Sequence, residues 1–178
     1  AMSRPWMGLV LLLATACAHV PGQEVPDVRT PLVVVNEMLR LGAVTADDVV
    51  YDLGSGDGRI VIAAAKDRGA RGVGFEIDPA LVAEATERAR RLGLADRVTF
   101  HQRDLFEADL REATVVTLYL SPDLNRRLRP KLLRDLRPGS RIVSHAFDMG
   151  DWAPTQTLQV TSNQGTHTLY LWVVPGRQ

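Results

Sequence analysis

Two aspartates and three glycines fall within seven residues, Asp52-Leu53-Gly54-Ser55-Gly56-Asp57-Gly58. Glycines at this spacing let the backbone turn sharply and approach a ligand that a side chain would hold off. A helix opening after the turn offers unpaired N–H groups at its start. A dinucleotide-binding loop reads G-x-G-x-x-G and brings a pyrophosphate onto that helix start. Here the spacing is G-x-G-x-G, with one carboxylate two residues before the first glycine and another inside the loop. Two carboxylates repel a pyrophosphate. They suit a ligand carrying an ammonium group and a sulfonium, as S-adenosylmethionine (SAM) does. The plainer alternative is a tight turn with two solvated aspartates.

Two further acids fall at equivalent places. Glu76 lies twenty positions after Gly56, and its carboxylate can accept from both hydroxyls of a ribose. Capping the helix that follows Glu76-Ile77-Asp78-Pro79 is the competing role. Asp104, in Arg103-Asp104-Leu105-Phe106, can accept from an adenine amino group with Leu105 or Phe106 against the ring. On the acceptor side the candidates are Ser121, Asn125, His145 and Asp148. His145 is either a base or a satisfied structural group. Trp152 either walls a channel or covers a core edge.

These residues are positioned by an alternation of strands and helices. Short apolar runs predict strands at Val49–Leu53, Arg71–Ile77, Arg97–Arg103, Thr114–Leu120 and Arg141–Phe147. Helical spacing predicts helices opening at Thr30-Pro31 and covering Arg59–Lys66, Pro79–Leu92 and Pro122–Leu136. In the last of these, Pro130 is expected to kink the helix or start a second one. Two final runs, Thr157–Thr161 and Thr168–Val174, predict a hairpin around Asn163-Gln164-Gly165. The order implies an α/β fold: a seven-strand, Rossmann-like, doubly wound sheet, mostly parallel, with an antiparallel C-terminal hairpin. Ligands in such sheets bind beyond the C-terminal ends of the strands, where all the acids named above fall.

Composition removes several alternatives. The 178 residues suffice for one domain, and 21 Lys plus Arg balance 21 Asp plus Glu, so no overall field favours nucleic acid. One cysteine excludes an internal disulfide, and four scattered histidines give no metal-ligand spacing. Residues 1–22 read as a leader: a basic start at Met2-Ser3-Arg4, an apolar run from Gly8 to Ala16, then small residues. The run is about half the ~20 residues needed to span a bilayer. Cys17 after Leu13-Ala14-Thr15-Ala16 resembles a lipoprotein signal, although Ala14 stands where leucine is usual. Residues 23–26 read as a tether and 27–178 as the domain. The leader implies a membrane-associated or exported protein, in tension with a cytosolic supply of SAM. The basic run Arg126, Arg127, Arg129, Lys131, Arg134 and Arg137 is a solvated helix face, or a surface for anionic lipid if Cys17 is lipidated.

The run Val50-Tyr51-Asp52-Leu53-Gly54-Ser55-Gly56-Asp57-Gly58-Arg59-Ile60-Val61 resembles class I SAM-dependent methyltransferases. It is most similar to small bacterial relatives of the mitochondrial lysine methyltransferases that act on the adenine nucleotide translocase and the ATP synthase c-subunit. The Dot1-type histone methyltransferases are more distant. The similarity runs from about Asp27 to Val174, and Asp52, Gly54, Gly56, Glu76 and Asp104 match the family's cofactor positions. With their neighbours Thr30, Ser55, Asp57, Ile77 and Leu105 they make up the expected cofactor site. S-adenosyl-L-homocysteine is the implied product, and no metal is implied. Before the first helix the family carries an aromatic-Val-Pro-Thr-Pro stretch; here Val28-Arg29-Thr30-Pro31 lacks the aromatic. After the fourth strand, Leu120-Ser121-Pro122-Asp123 replaces the Asn/Asp-Pro-Pro-Tyr motif of many amino-methyltransferases, which disfavours a nucleic-acid acceptor.

The resemblance implies N-methylation of a protein lysine by in-line transfer from the sulfonium, with Ser121, Asn125 and His145 as the catalytic candidates. A small-molecule or lipid-headgroup methyltransferase is the first alternative. A non-catalytic, SAM-fold binding lipoprotein is the second.

Overall fold

Central strands buried on both faces need nearly continuous apolar sequence. Val-Val-Tyr-Asp-Leu and Val-Val-Thr-Leu meet that need in β1 (Val49–Leu53) and β4 (Val115–Leu118). The computed structural model describes residues 29–176; the leader, the tether and Cys17 lie outside the described residues. The other strands are β2 (Arg71–Glu76), β3 (Val98–Gln102), β5 (Arg141–His145), β6 (Gln156–Ser162) and β7 (Gly165–Val173). The helices are α1 (Leu32–Leu41), α2 (Arg59–Arg68), α3 (Pro79–Arg91) and α4 (Pro122–Asp135).

One seven-stranded sheet results, in the order β3-β2-β1-β4-β5-β7-β6. β1 to β5 pair in parallel, while β7 runs antiparallel to both β5 and β6. This is the sheet expected from the sequence. The hairpin is longer than the hydropathy pattern indicates, because its ladder continues through the polar residues Ser162 and Gly165. Backbone bonds do not register hydropathy.

Each face of the sheet has its own core. On one face α1 buries Val34, Val35, Met38 and Leu39, and α2 buries Ile60 through Ala65. Only Ala85 and Ala89 of α3 are fully buried, and these small side chains bring that helix close to the sheet. On the other face Leu128 and Leu132 of α4, with Leu136, pack with Trp172 and Met149. Pro130 starts no second helix; α4 runs through it unbroken. Pro130 cannot donate to the Arg126 carbonyl, but both residues are on the exposed side. The leucine stripe on the opposite side anchors the helix regardless. Pro31 stands one place earlier than expected, at the N-cap of α1, where its carbonyl accepts the first helical bond from Val35.

Gly58 closes the β1–α2 turn with φ +80°, and a Cβ there would come within 2.5 Å of the Phe100 ring on β3. Left-handed backbone and the overlap add up, so Gly58→Ala should lose about 2 kcal/mol or more of stability. Urea unfolding measures this directly. A variant as stable as the parent would mean that Phe100 does not wedge against the turn.

Candidate functional site

Strand order reverses between β1 and β4, and the crevice outside that reversal is where an open α/β sheet binds its ligand. Two clefts open there and meet at Gly54. The smaller, of about 130 Å³, is lined by Arg29, Thr30, Asp52, Ser55, Gly56, Asp57, Arg59, Ile60 and Tyr119. The larger, of about 330 Å³, is lined by Phe75, Glu76, Ile77, Arg103, Asp104, Leu105, Phe106, Leu124 and Arg127. All ten residues expected to bind the cofactor line one cleft or the other.

The two acids of the glycine turn are in opposite electrostatic states. Asp52 is only 3% exposed and accepts one hydrogen bond, 2.8 Å from the Thr117 hydroxyl, its register partner on β4. Burial pushes its pKa up to about 7, the Thr117 bond opposes this, and the charges of Glu76 and Asp57 add to it. Asp52 therefore stands ready to ionise when a cation enters the small cleft. Asp57 is equally buried, but Arg59, Arg29 and Arg88 surround it at 2.9, 3.1 and 3.3 Å. Burial alone would raise its pKa; the Arg59 hydrogen bond and charge, with Arg29 adding, outweigh that and leave it below the usual value. Asp57 lines the cleft as expected, but with its charge already balanced by the three guanidinium groups. It fastens Arg29, ahead of α1, to the first residue of α2 and to the last turn of α3.

Glu76 ends β2, and its carboxylate organises backbone on both sides. Oε2 accepts from the Gly56 N–H at 2.9 Å, and Oε1 from the Ile77 and Asp78 N–H groups at 2.9 and 3.1 Å. Of roughly four acceptor sites on a carboxylate, these bonds leave one on Oε2, and Glu76 lines the large cleft. The capping role and the ligand role thus coexist. Asp104 uses Oδ1 to accept from the Phe106 N–H at 2.9 Å, leaving Oδ2 for a donor in the cleft. Ile77 is 68% exposed at the cleft's edge, an apolar surface with no covering group among the described residues. Phe106 already carries the Arg127 guanidinium on its ring at 4.7 Å, so Leu105 and Ile77 are the apolar walls available to a planar base. At Gly56 (φ +54°) nothing lies within 4 Å of where a Cβ would be, so the turn leaves open space at the junction. The residues present fit SAM: Asp52 for its cationic part, Glu76 for its ribose, and Asp104, Ile77 and Leu105 for its adenine. Among the described residues, no group of three or more His, Cys, Asp or Glu is placed to hold a metal ion.

The acceptor-side candidates divide. Ser121 is the N-cap of α4, accepting from the Leu124 N–H at 3.2 Å, and it lines neither cleft. Asn125 is fully buried and donates to Ser144 Oγ and to the Phe147 and Asp148 carbonyls. Its amide nitrogen clamps the loop after β5, while its buried Oδ1 has no hydrogen-bond partner among the described residues. The first turn of a helix and a buried loop each need local partners, and Ser121 and Asn125 supply them. Asp148 is exposed and accepts from the Gly150 N–H. Trp152 packs on Trp172 and accepts the Trp172 indole N–H through its carbonyl, so it covers a core edge. His145 lines neither of these two clefts, yet it touches two residues of the small one. Thr30 Oγ1 is 3.0 Å from its Nδ1, and the Tyr119 ring is 4.0 Å from its own, centre to centre. Burial, and then the nearby His167 ring, hold His145 down at about pKa 4, so it is neutral at physiological pH.

Four site residues escape a reading of the sequence: Arg29, Arg59, Thr117 and Tyr119. Thr117 lies near the end of β4 and Tyr119 just after it, beside the switch point, and strand pairing alone brings Thr117 to Asp52. Arg59 directly follows the glycine turn, which is the one local signal among the four. The basic run on α4 is largely engaged within the fold. Arg127 lies on Phe106, Arg129 pairs with Asp151, and Lys131 and Arg134 both pair with Asp135.

Residues 52–156 match the model of the ANTKMT methyltransferase domain. A protein-lysine N-methyltransferase of Saccharolobus islandicus is 43% identical over 158 residues, 88% of this chain and 97% of the relative. The adenine nucleotide translocase lysine N-methyltransferase of Mus musculus is 35% identical over 71% of this chain, which spans only 54% of that longer protein. Among solved structures, an RNA methyltransferase from Salinibacter ruber in complex with S-adenosyl-L-homocysteine superposes with TM-score 0.81. It is 56% identical, covering 85% of this chain and 96% of the other.

Asp52 gives a pH signature. In the fold it keeps its proton up to about pH 7, whereas an unfolded chain releases it near pH 4. The ligand-free domain should therefore lose stability progressively as pH rises from about 4 to about 7, and level off above that. Affinity for SAM should run the other way, because a cation gains most from the ionised carboxylate, and it should weaken as pH falls below 7. Calorimetric titration from pH 5.5 to 8.5 tests this, and Asp52→Asn should flatten the profile. A parent affinity independent of pH would place the carboxylate away from the cofactor's charge.

Proposed function

Because the chain belongs to the ANTKMT methyltransferase family and uses SAM as its methyl donor, we propose that its acceptor is the ε-amino group of a protein lysine. The observation that carries this reading is the 43% identity across nearly the whole of the Saccharolobus protein-lysine N-methyltransferase. The longer mouse relative, named for a lysine of the adenine nucleotide translocase, supports the same acceptor class.

Bound SAM supplies a methyl group on a positively charged sulfur. The chain's own residues do the rest. Asp52 sets a negative charge in the small cleft, Glu76 and Asp104 orient the nucleoside part, and Arg29 and Thr30 cover the small cleft from the α1 side. Arg59 Nη1 donates to the Thr30 carbonyl at 3.0 Å, which ties that cover to the glycine turn. Tyr119 and Thr30 are the polar groups of the small cleft that adjoin His145, and they mark where an acceptor nitrogen would lose its proton. Positioning, charge arrangement and water exclusion are what the fold contributes to such a displacement.

One observation favours a second reading. The Salinibacter structure is of an RNA methyltransferase and is 56% identical. Against an RNA acceptor stand the balanced charge of this chain and the engagement of four α4 cations by Phe106, Asp151 and Asp135. The leader-like residues 2–22 support a membrane location through Cys17; in that case Cys17→Ser should shift the protein from the membrane to the soluble fraction.

Incubation with methyl-labelled SAM and separated protein and RNA fractions decides the acceptor. Label should appear in protein and be recovered as methyllysine after acid hydrolysis. Glu76→Ala should reduce it by at least tenfold, through loss of both the ribose acceptor and the Gly56 tether. Label confined to RNA would overturn the lysine assignment.

A further inference from the structure

Two histidines join the small cleft to the outer end of the β6–β7 hairpin. Thr30, 4% exposed, lines the cleft, and its Oγ1 is 3.0 Å from His145 Nδ1. His145 Nε2 is 2.8 Å from His167 Nδ1, and His167 Nε2 is 2.7 Å from Ser162 Oγ. Ser162 also accepts from the Gln164 N–H at 3.0 Å, in the exposed turn. The geometry follows from strand pairing. Leu169 of β7 is the register partner of His145, and His167, two residues away, shares its face of the sheet.

We propose that Thr30, His145, His167 and Ser162 form a proton exit path that drains the acceptor lysine's ammonium proton from the closed site to solvent. This rests on the lysine reading given above. A lysine with an ordinary pKa near 10.4 must lose a proton before it attacks, and a site closed over the cofactor offers that proton few ways out. Thr30 Oγ1 takes the proton as it passes its own to His145 Nδ1. His145 Nε2–H passes to His167 Nδ1, and His167 Nε2–H passes to Ser162 Oγ, whose hydroxyl proton leaves to water. One proton enters, one leaves, and every member ends neutral. The freed nitrogen pair then forms the N–C bond to the methyl carbon while the C–S pair returns to sulfur. Between turnovers, with the cleft open to water, the chain relaxes to its starting tautomer, and the proton that emerges at Thr30 passes to bulk water instead of to a bound lysine.

The chain has a built-in constraint. If Thr30 donates to His145 Nδ1, both rings carry their proton on Nε2. If Ser162 donates to His167 Nε2, both carry it on Nδ1. Whenever both rings are singly protonated they must therefore share one tautomer and change together. The groups facing His145 are Thr30 ahead of α1, Tyr119 after β4 and His167 on β7; the interactions found for its ring include no carboxylate or guanidinium.

The test uses the full chain with poly-L-lysine as acceptor. His167→Ala should lower kcat at least tenfold while KM for poly-L-lysine and affinity for SAM stay within twofold. Added imidazole should restore much of the rate. His167→Gln, which preserves bulk and polarity but cannot relay a proton, should be equally slow. Unchanged kcat in either variant, or a loss that imidazole does not relieve, would overturn the path. Nitrogen-15 NMR of the two imidazoles provides a readout independent of any acceptor. Matching tautomers at pH 7 that switch together in Ser162→Ala support the path, and unlike tautomers refute it. If the parent protein modifies no lysine, the lysine reading fails, and the tautomers still decide whether the chain conducts.

Discussion

The Asp57 carboxylate, buried among three guanidinium groups, is the interaction on which the site's shape depends. Arg29 comes from ahead of α1, Arg59 from the start of α2 and Arg88 from α3, so one anion binds three separate parts of the chain. A lone buried carboxylate is costly, and removing its partners would leave that charge unbalanced. The arginines are 21–45% exposed, so their Coulombic gain is screened and the cluster contributes position more than stability. Arg59 extends the same network to the Thr30 carbonyl, and Thr30 reaches His145. The cofactor turn, the segment above it and the acceptor side are thereby held to one another.

Against that balanced acid stands an unbalanced one five residues earlier. Asp52 has only the Thr117 hydroxyl for company, and burial raises its pKa while the arginines lower that of Asp57. Two carboxylates of one turn thus take different work, one holding the backbone and one held in reserve for a cation. Pairs of titratable groups pushed apart by their surroundings are a recurring sign of a functional site. The reason here is topological: Asp52 lies inside the sheet, between β2 and β4, where its register partner Thr117 supplies a hydroxyl and not a cation.

The acceptor side is built on different principles. Ser121 and Asn125 satisfy backbone groups, and Asn125 clamps the loop that begins at Ala146, whose φ of +72° is uncommon for a residue other than glycine. A strained residue directly after His145 is consistent with a loop fixed by its surroundings so that the histidine keeps its place. The divergence of relatives between a protein and an RNA acceptor fits a fold in which the cofactor half is constant and the acceptor half is set by loops.

Local pattern in the chain determined most of the cofactor half. The glycine spacing, the acids at the ends of three strands and the alternation of apolar runs each follow from local chemistry, and the strands formed where those runs lie. β2 to β5 stop a residue or two short of the expected spans, where the chain turns away into the loops that line the site, and only the hairpin ladder extends past its apolar residues. The tertiary structure alone decided which acid faces a cation, since Asp52 and Asp57 are the same residue type in one loop and differ only in what folds around them. It also decided the partners of Ser121, Asn125 and His145. A serine before a helix reads identically whether it caps or reacts, and His145 meets His167 only because β5 pairs with β7. Contacts between residues distant along the chain leave no trace in local spacing, and those contacts set the charge state of each group.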